Sequence, residues 1–345
     1  MLVITDLLKK PFDEGAKNTA FNIIKILSRY EEHKILSING EIGIGIPVQM
    51  FNINKSFLNI SFLAKLRALT QKSILYVPES SATLFSLIRA KLLHLFSGNS
   101  ICILALQPRK YNVWGAIIAK VFAPRVLITP SKSYANYLQG LGLNNVVIPL
   151  GVDDVKFNEY SKDTRIDVRR KFDIEIDKMV LLHVGHIRES RNLGWLLEVK
   201  RKHQDIEIII VGSTYNKSDQ KLYSELEASG IRVFNQYIEN MADLYNLADY
   251  YVFPVIDDQG AIATPLSVLE AMSCNIPILT TKFGSLVDMF QSDKYFHFID
   301  KSSDILEIIK TDKYKSEYCN NRGKAEKYTW NCISDRVQLI MKGLE

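Results

Sequence analysis

The chain repeats one alternation twice: short β-branched or apolar runs are separated by longer segments with apolar residues at three- and four-residue spacing. In the first half these runs include HKILSI, SILYVP, SICILALQ and RVLITPS, and in the second half MVLLHVGH, IEIIIVGS, DYYVFPV and IPILTT. Strands that alternate with helices pair in parallel. Each half therefore predicts an α/β domain whose parallel sheet is covered by helices on both faces.

The length of 345 residues suits two such domains. A charged stretch, VDDVKFNEYSKDTRIDVRRKFDIEIDK, separates the halves and is typical of a connection followed by an entry helix. We expect Rossmann-like domains at 1–160 and 161–328, and a closing helix at 329–345 that packs back toward the first domain. Two facing α/β domains would bind a ligand between them, at the carboxyl ends of their strands.

The composition narrows the class of protein. With 47% apolar and 23% charged residues the chain is typical of globular proteins, not of disordered or fibrous ones. No apolar run approaches the ~18 residues that span a bilayer. The start, MLVITDLLKKPFDEG, reverses the order of a secretory signal and predicts the first strand of a cytoplasmic protein. The four cysteines lack metal-ligand spacing, so neither a disulfide framework nor a zinc site is expected.

The charge is distributed unevenly. Residues 1–150 contain 17 Lys and Arg against 7 Asp and Glu, and no acidic residue lies between Ser80 and Leu150. A basic field suits an anionic partner, although a solvated basic surface without a partner is the alternative. The segments ATLFSLIRAKLLHLF and FLAKLRALTQK set Arg89, Lys91, Lys65 and Arg67 beside apolar stretches. This favours peripheral contact with an anionic membrane on its cytoplasmic face, and we expect no nucleic-acid partner.

Two arginines follow a strand in MVLLHVGHIRESRNLGWLLEV. The strand runs through Gly185 into a loop that holds His186, Arg188 and Arg191, and a helix begins directly afterwards. Cations at a helix N-terminus oppose its dipole, unless an anion lies between them and the helix amides. The pattern therefore indicates a phosphate site, with two solvated arginines as the alternative.

A second informative stretch is ADYYVFPVIDDQGAIATPLSVLEAMSC. Thr264 can cap a helix whose first residue is Pro265, and Gly260 would let the preceding loop approach a ligand closely. Glu270 falls close to the apolar face of that helix, where an unpaired carboxylate is costly. Its expected partner is either a core group, such as a backbone amide or a lysine, or the hydroxyls of a ligand.

These motifs and their order resemble the nucleotide-binding half of family 4 glycosyltransferases of the GT-B fold. The resemblance includes G-x5-R-N from Gly185 to Asn192, the strand end IIIVG at Gly212, NLADYYVFP and PLSVLEAMSCNIPILTT. PFDEGAKN, PLGVDDVKF and AEKYTWNCISDRVQLIMKGL extend it over nearly the whole chain. It implies a retaining hexosyltransferase that moves sugar from a UDP- or GDP-sugar to a polysaccharide, glycolipid or lipid-linked acceptor, without metal or other cofactor.

The resemblance also assigns roles to residues. Arg191 takes the place of the lysine that contacts the donor diphosphate, and Arg188 is the second cation. Glu270 matches the second glutamate of Glu-x7-Glu, which binds the ribose hydroxyls, and Gly15 lies in the first loop near the donor phosphates. Further donor contacts are expected from Gly185, His186, Gly212, Gly260, Thr264 and Leu266.

The pattern departs from the family at two places. Ile262 stands eight residues before Glu270, and Asp258 fills the slot of the first glutamate if the loop is longer. Pro78 replaces a histidine before the retained Glu79. As catalytic groups we expect two arginines that stabilise the departing diphosphate and two carboxylates that orient hydroxyls, namely Arg188, Arg191, Asp258 and Glu79. The alternatives are a GT-B protein that acts as a scaffold without transferase activity, and a sugar-nucleotide epimerase or phosphorylase.

Overall fold

The chain forms two compact units. The computed structural model describes residues 1–8, 10, 12, 15–30, 34–40, 49–50, 60–68, 72–79, 81–212, 219–236, 238–257, 261–311 and 319–344. The first unit comprises Met1–Gly151, Ile262–Thr264 and Trp330–Glu345, and the second comprises Val152–Ala261 and Pro265–Thr329.

The first unit is built on a seven-stranded sheet in the order β3-β2-β1-β4-β5-β6-β7, with every neighbouring pair parallel. Its strands are β1 (Leu2–Leu8), β2 (Lys34–Gly40), β3 (Gln49–Met50), β4 (Ser73–Val77), β5 (Ser100–Leu104), β6 (Val126–Thr129) and β7 (Asn145–Val147). Its helices in this part of the chain are α1 (Gly15–Leu27), α2 (Ile60–Ala68), α3 (Leu84–Ser97), α4 (Val113–Val121) and α5 (Lys132–Gly140).

The second unit is built on a six-stranded parallel sheet in the order β10-β9-β8-β11-β12-β13. Its strands are β8 (Val180–Val184), β9 (Glu207–Val211), β10 (Arg232–Phe234), β11 (Tyr250–Phe253), β12 (Ile278–Thr280) and β13 (Phe296–Phe298). Its helices are α6 (Lys162–Lys171), α7 (Gly194–Lys202), α8 (Gln220–Ala228), α9 (Met241–Leu247), α10 (Leu266–Ser273), α11 (Leu286–Met289), α12 (Ser302–Thr311) and α13 (Asn321–Ala325), with 3-10 turns at Glu189–Arg191 and Glu326–Tyr328. The final helix, α14 (Trp330–Lys342), belongs to the first unit and packs on α1.

The predicted fold class is confirmed: both units are parallel sheets flanked by helices, the GT-B architecture. The sheets are buried on both faces because successive strand residues join different cores. In β8, for example, Leu182 packs into one apolar cluster and Leu181 into another. In both sheets the strand order reverses once, between β1 and β4 and between β8 and β11. Ligands of open α/β sheets bind at the carboxyl ends of the strands at such a reversal.

The division between the units falls at Gly151 rather than at residue 160. The amide of Val152 donates to the carbonyl of Tyr328 at 2.8 Å, and Phe157 lies in a core cluster of the second unit. The charged connection is therefore tied to the second unit from its first residue. Among the described helices none has the length and apolarity needed to cross a membrane.

Candidate functional site

The loop after β8 is held so that Arg191 points back to the strand end. Arg191 closes a 3-10 turn through its amide, which donates to the Arg188 carbonyl at 3.0 Å. Asn192 ends the turn with a left-handed φ of 55°, and its side-chain amide donates to the Pro254 carbonyl at 3.1 Å. At Gly185 a Cβ would lie 2.9 Å from Arg191 Nη1 and 3.2 Å from His183 Nε2, so the glycine leaves room for both side chains. The sequence places Gly185 and Arg191 in one loop, and in the structure the two residues lie close together.

Arg191 is a buried cation. The residue is only 8% exposed, and its guanidinium has no hydrogen bond or ion pair with any described residue. Burial lowers the pKa of Arg191 to about 10; the neighbouring Arg188 acts in the same direction, whereas Tyr251 raises it. A buried guanidinium without an acceptor is costly unless an anion joins it. The geometry is that of an anion site.

The amino end of α10 adds hydrogen-bond donors to the same place. The Tyr251 hydroxyl, on β11, donates to the Val184 carbonyl at 3.3 Å, is hydrogen-bonded to Ser267, and interacts with Arg191. The backbone amides of Leu266 and Ser267 donate no hydrogen bond to a described residue. Free amides at a helix start attract anions. A phosphate group beside Arg191 would meet both kinds of donor.

Glu270, also on α10, has a core partner. The buried Tyr245 hydroxyl donates to Glu270 Oε2 at 2.7 Å, while Oε1 has no hydrogen bond within the described part of the chain. Burial raises the pKa of Glu270, and the hydrogen bond from Tyr245 opposes that rise. The partner is neither the backbone amide nor the lysine that the sequence suggested for a core role. One carboxylate oxygen is held in the core and the other is left for a ligand.

His183 is a residue of this site whose significance the sequence did not reveal. It is fully buried on β8, and its Nδ1 donates to the Val252 carbonyl at 2.9 Å, which leaves a lone pair on Nε2. Nε2 has no partner among the described residues and would lie 3.2 Å from a Cβ at Gly185. Burial, with a smaller contribution from Arg191 and against the hydrogen bond to Val252, lowers the pKa of His183 to about 3. The imidazole is therefore neutral beside the guanidinium.

In the described part of the chain no group of three or more His, Cys, Asp and Glu side chains is arranged as metal ligands.

The remaining expected donor contacts of the second unit lie around this site. Arg188 is exposed and close enough to Arg191 to lower its pKa, and His186 is half-buried beside Gly185. At Gly212, which follows β9, a Cβ would lie 3.0 Å from Asn235 Oδ1, and its amide donates to the Phe234 carbonyl at 2.8 Å. A donor contact at Gly212 stays a prediction. Asp258 and Gly260 lie outside the described residues.

The first unit carries a polar cluster at its own strand reversal. The Tyr76 hydroxyl on β4 donates to Asp6 on β1 at 2.8 Å, and Arg89 of α3 forms an ion pair with Asp6. The amide of the exposed Glu79 donates to Asp6 Oδ2 at 3.4 Å, and burial raises the pKa of Asp6. Arg89 is only 7% exposed, so its predicted place on a membrane surface is wrong. Local sequence pattern does not indicate this pairing, because Asp6 lies 83 residues before Arg89.

The segment Ile262–Thr264 corrects a second expectation. Thr264 does not cap a helix: α10 begins at Leu266, with Pro265 in the cap position and no side-chain cap bond. Thr264 is fully buried, and its hydroxyl oxygen accepts from the Leu150 amide at 3.4 Å. Ile262 lies against the start of α1, where a Cβ at Gly15 would be 2.7 Å from Ile262 Cδ1. An apolar side chain thus occupies the place eight residues before Glu270, and Gly15 makes room for it.

Comparison with known proteins finds a family match for part of the chain. Residues 178–307, which include the loop of Arg191 and the helix of Glu270, match the family described as Glycosyl transferases group 1. The resemblance to GT-B glycosyltransferases is confirmed at this level, whereas assignment to family 4 stays a prediction.

Individual relatives are distant. The chain is 25% identical over 201 residues to the sulfoquinovosyl transferase SQD2 of Arabidopsis thaliana, covering 54% of this chain and 38% of that protein. It is 25% identical over 209 residues to a probable sucrose-phosphate synthase of Thermosipho melanesiensis, covering 57% and 47%. It thus spans less than half the length of either relative. The crystal structure of Anabaena Alr3699/HepE in complex with UDP covers 100% of both chains with a TM-score of 0.78 and 14% identity, which is a likeness of fold.

Proposed function

We propose that the chain is a glycosyltransferase that takes a sugar from a nucleoside-diphosphate sugar. The observation that carries the proposal is the buried, unpaired guanidinium of Arg191 at the strand reversal of the second unit. In the proposed site its partners are the diphosphate oxygens, together with the free amides at the start of α10 and Arg188. Glu270 Oε1 accepts from the ribose hydroxyls while Tyr245 holds Oε2.

The chemistry follows from charge. As the bond between sugar and phosphate breaks, negative charge grows on the departing diphosphate, and fixed cations stabilise it most at that stage. Arg191 and Arg188 supply that charge, so we propose transfer without a metal ion. We also propose retention of configuration at the anomeric carbon and membership of family 4. Both rest on the resemblance in sequence.

The donor and the acceptor are proposed with different support. A UDP-sugar is favoured over a GDP-sugar because solved structures of similar fold, those of Anabaena Alr3699/HepE, are complexes with UDP and with UDP-glucose. For the acceptor we propose a polysaccharide, glycolipid or lipid-linked glycan at the cytoplasmic face of a membrane. The basic charge of residues 1–150 supports this class.

Nucleotide binding is the first test. In a thermal-shift panel of UDP, GDP, ADP and TDP, a ligand at 100 times its dissociation constant stabilises the fold by about 2.7 kcal/mol. We expect UDP to stabilise the protein and Arg191→Ala to abolish this shift, while Arg336→Gln, which removes an exposed cation of α14, leaves it unchanged. No shift with any of the four nucleotides would refute the donor site.

Turnover is the second test. Release of UDP from UDP-sugars is measured with glycan and lipid-linked acceptors, with and without EDTA. Release that EDTA does not affect and a product of retained configuration are the expected results. Binding of UDP without turnover on any acceptor would instead favour the scaffold alternative.

A further inference from the structure

An apolar helix face is exposed in the first unit. On α4 five large apolar side chains lie in the solvent: Val113, Trp114, Ile117, Ile118 and Val121 are 77%, 75%, 50%, 37% and 63% exposed. They follow the spacing i, i+1, i+4, i+5 and i+8, which lies on one side of a helix. Gly115 and Ala119 are the buried residues of α4 and face the protein instead. The helix therefore turns its small residues inward and its large apolar residues outward.

The surroundings of this face are basic. Lys110, Lys120 and Arg125 are exposed before, on and after α4, and none forms an ion pair with a described residue. The nearest acidic residues in the sequence are Glu79 and Asp153. Directly after α4, Ala123, Pro124 and Arg125 line a cavity of about 270 Å³ that Lys91 and His94 also line. Polar groups in that cavity suit a phosphate headgroup.

We propose that the outer face of α4 docks on an anionic lipid bilayer. A contiguous apolar surface bordered by cations is the pattern of helices that lie in the membrane interface. Trp114 suits the level of the headgroups, since tryptophan is enriched at that depth. A second copy of this chain would bring Lys110, Lys120 and Arg125 against like charges, whereas an anionic membrane neutralises them. The charge thus selects the lipid surface.

This inference deepens the proposed function by naming the surface that would present the chain to a lipid-linked acceptor. The biological role of the docking surface rests on the proposed function, but the docking itself does not. Docking is measured without any nucleotide sugar, so failure of the transferase assay and failure of docking are separate results.

Vesicle co-sedimentation of the full chain tests the proposal. We expect binding to vesicles of phosphatidylglycerol and phosphatidylcholine, no binding to phosphatidylcholine alone, and loss of binding as NaCl is raised. The emission of Trp114 should shift to the blue on binding, and Trp114→Phe should bind without that shift. The other tryptophans interfere little, because Trp330 is buried and Trp195 is half-buried.

Two variants with matched controls locate the surface. Replacing Trp114 and Ile117 together by serine should abolish binding, whereas Leu339→Ser, which changes an exposed leucine of α14, should not alter it. Replacing Lys110, Lys120 and Arg125 by glutamine should weaken partitioning about a hundredfold, at about fivefold for each cation near an anionic surface. Arg336→Gln is the charge control.

Three results would overturn the proposal. The first is binding that survives both sets of substitutions, and the second is failure to bind anionic vesicles at low salt. The third is a concentration-dependent dimer in sedimentation velocity that the change of Trp114 and Ile117 to serine dissolves, because a second copy of the chain would then cover α4.

Discussion

Replacement of Arg191 by methionine should stabilise the free protein and weaken its affinity for nucleotide. Methionine keeps the length and apolar contacts of the side chain and removes only the charge. Burial lowers the pKa of Arg191 from its ordinary value to about 10. At about 1.4 kcal/mol for each tenfold change in proton affinity, burying this charge costs about 3 kcal/mol. The cost is fully present at neutral pH, because Arg191 of the folded protein loses its proton, and with it this cost, only as the pH rises above about 10.

The assay is thermal unfolding at neutral pH with and without UDP. A gain of about 3 kcal/mol raises the melting temperature by about 6 °C or more. Loss of a charge-assisted contact with phosphate, at about 1.5–3 kcal/mol, weakens UDP binding by about 10- to 150-fold. Opposite signs of these two effects would identify a residue maintained for binding at a cost in stability. A less stable Arg191→Met protein with unchanged UDP affinity would refute the reasoning.

The remaining predictions concern other residues of the same site. Gly185→Ala should weaken UDP binding at least tenfold, because its Cβ would lie 2.9 Å from Arg191 Nη1; calorimetry that finds wild-type affinity would contradict this. Glu270→Gln should weaken binding of UDP but not of 2′-deoxy-UDP, whereas Tyr245→Phe should lower the melting temperature; equal losses for both nucleotides would exclude a ribose contact. His183 has a pKa lowered to about 3, so the unfolded chain takes up its proton first and stability falls below pH 6.5, by about 2 kcal/mol at pH 5. Urea titrations should find this component missing in His183→Phe, and an unchanged pH dependence would show that His183 is not its source.

The strands, the helices and their parallel arrangement could be predicted from the sequence, because each depends on the spacing of apolar residues within a short segment. Alternating apolar runs and helical spacing suffice for parallel sheets, because strand and helix each impose their own period. The arginine loop was also accessible: two cations before a helix are unfavourable without an anion, and Arg191 is indeed buried. The sequence pattern does not predict how far Arg191 is buried. That depends on the space at Gly185 and on the fully buried His183, because the side chains of Arg191 and His183 both lie close to that glycine.

The errors arose where long-range contacts decide. Arg89 sits in a segment without acids, yet its partner Asp6 comes from β1. Threonine is a residue type that commonly caps helices, but the hydroxyl oxygen of Thr264 accepts a hydrogen bond from the Leu150 amide instead. The exposed face of α4 was hidden for another reason, since the same periodicity results whether an apolar stripe faces a sheet or the solvent. Only the position of Gly115 and Ala119 on the protein side distinguishes the two.

The order of the segments along the chain has a consequence for biosynthesis. The first unit includes Ile262–Thr264 and α14, which the ribosome makes after most or all of the second unit. Domains generally fold as units during synthesis, starting from the N-terminus. Here the unit that begins first is completed last, because α1 must wait for α14 to cover it. A chain that stops before Trp330 would contain all of the second unit, but its first unit would lack the helix that covers α1.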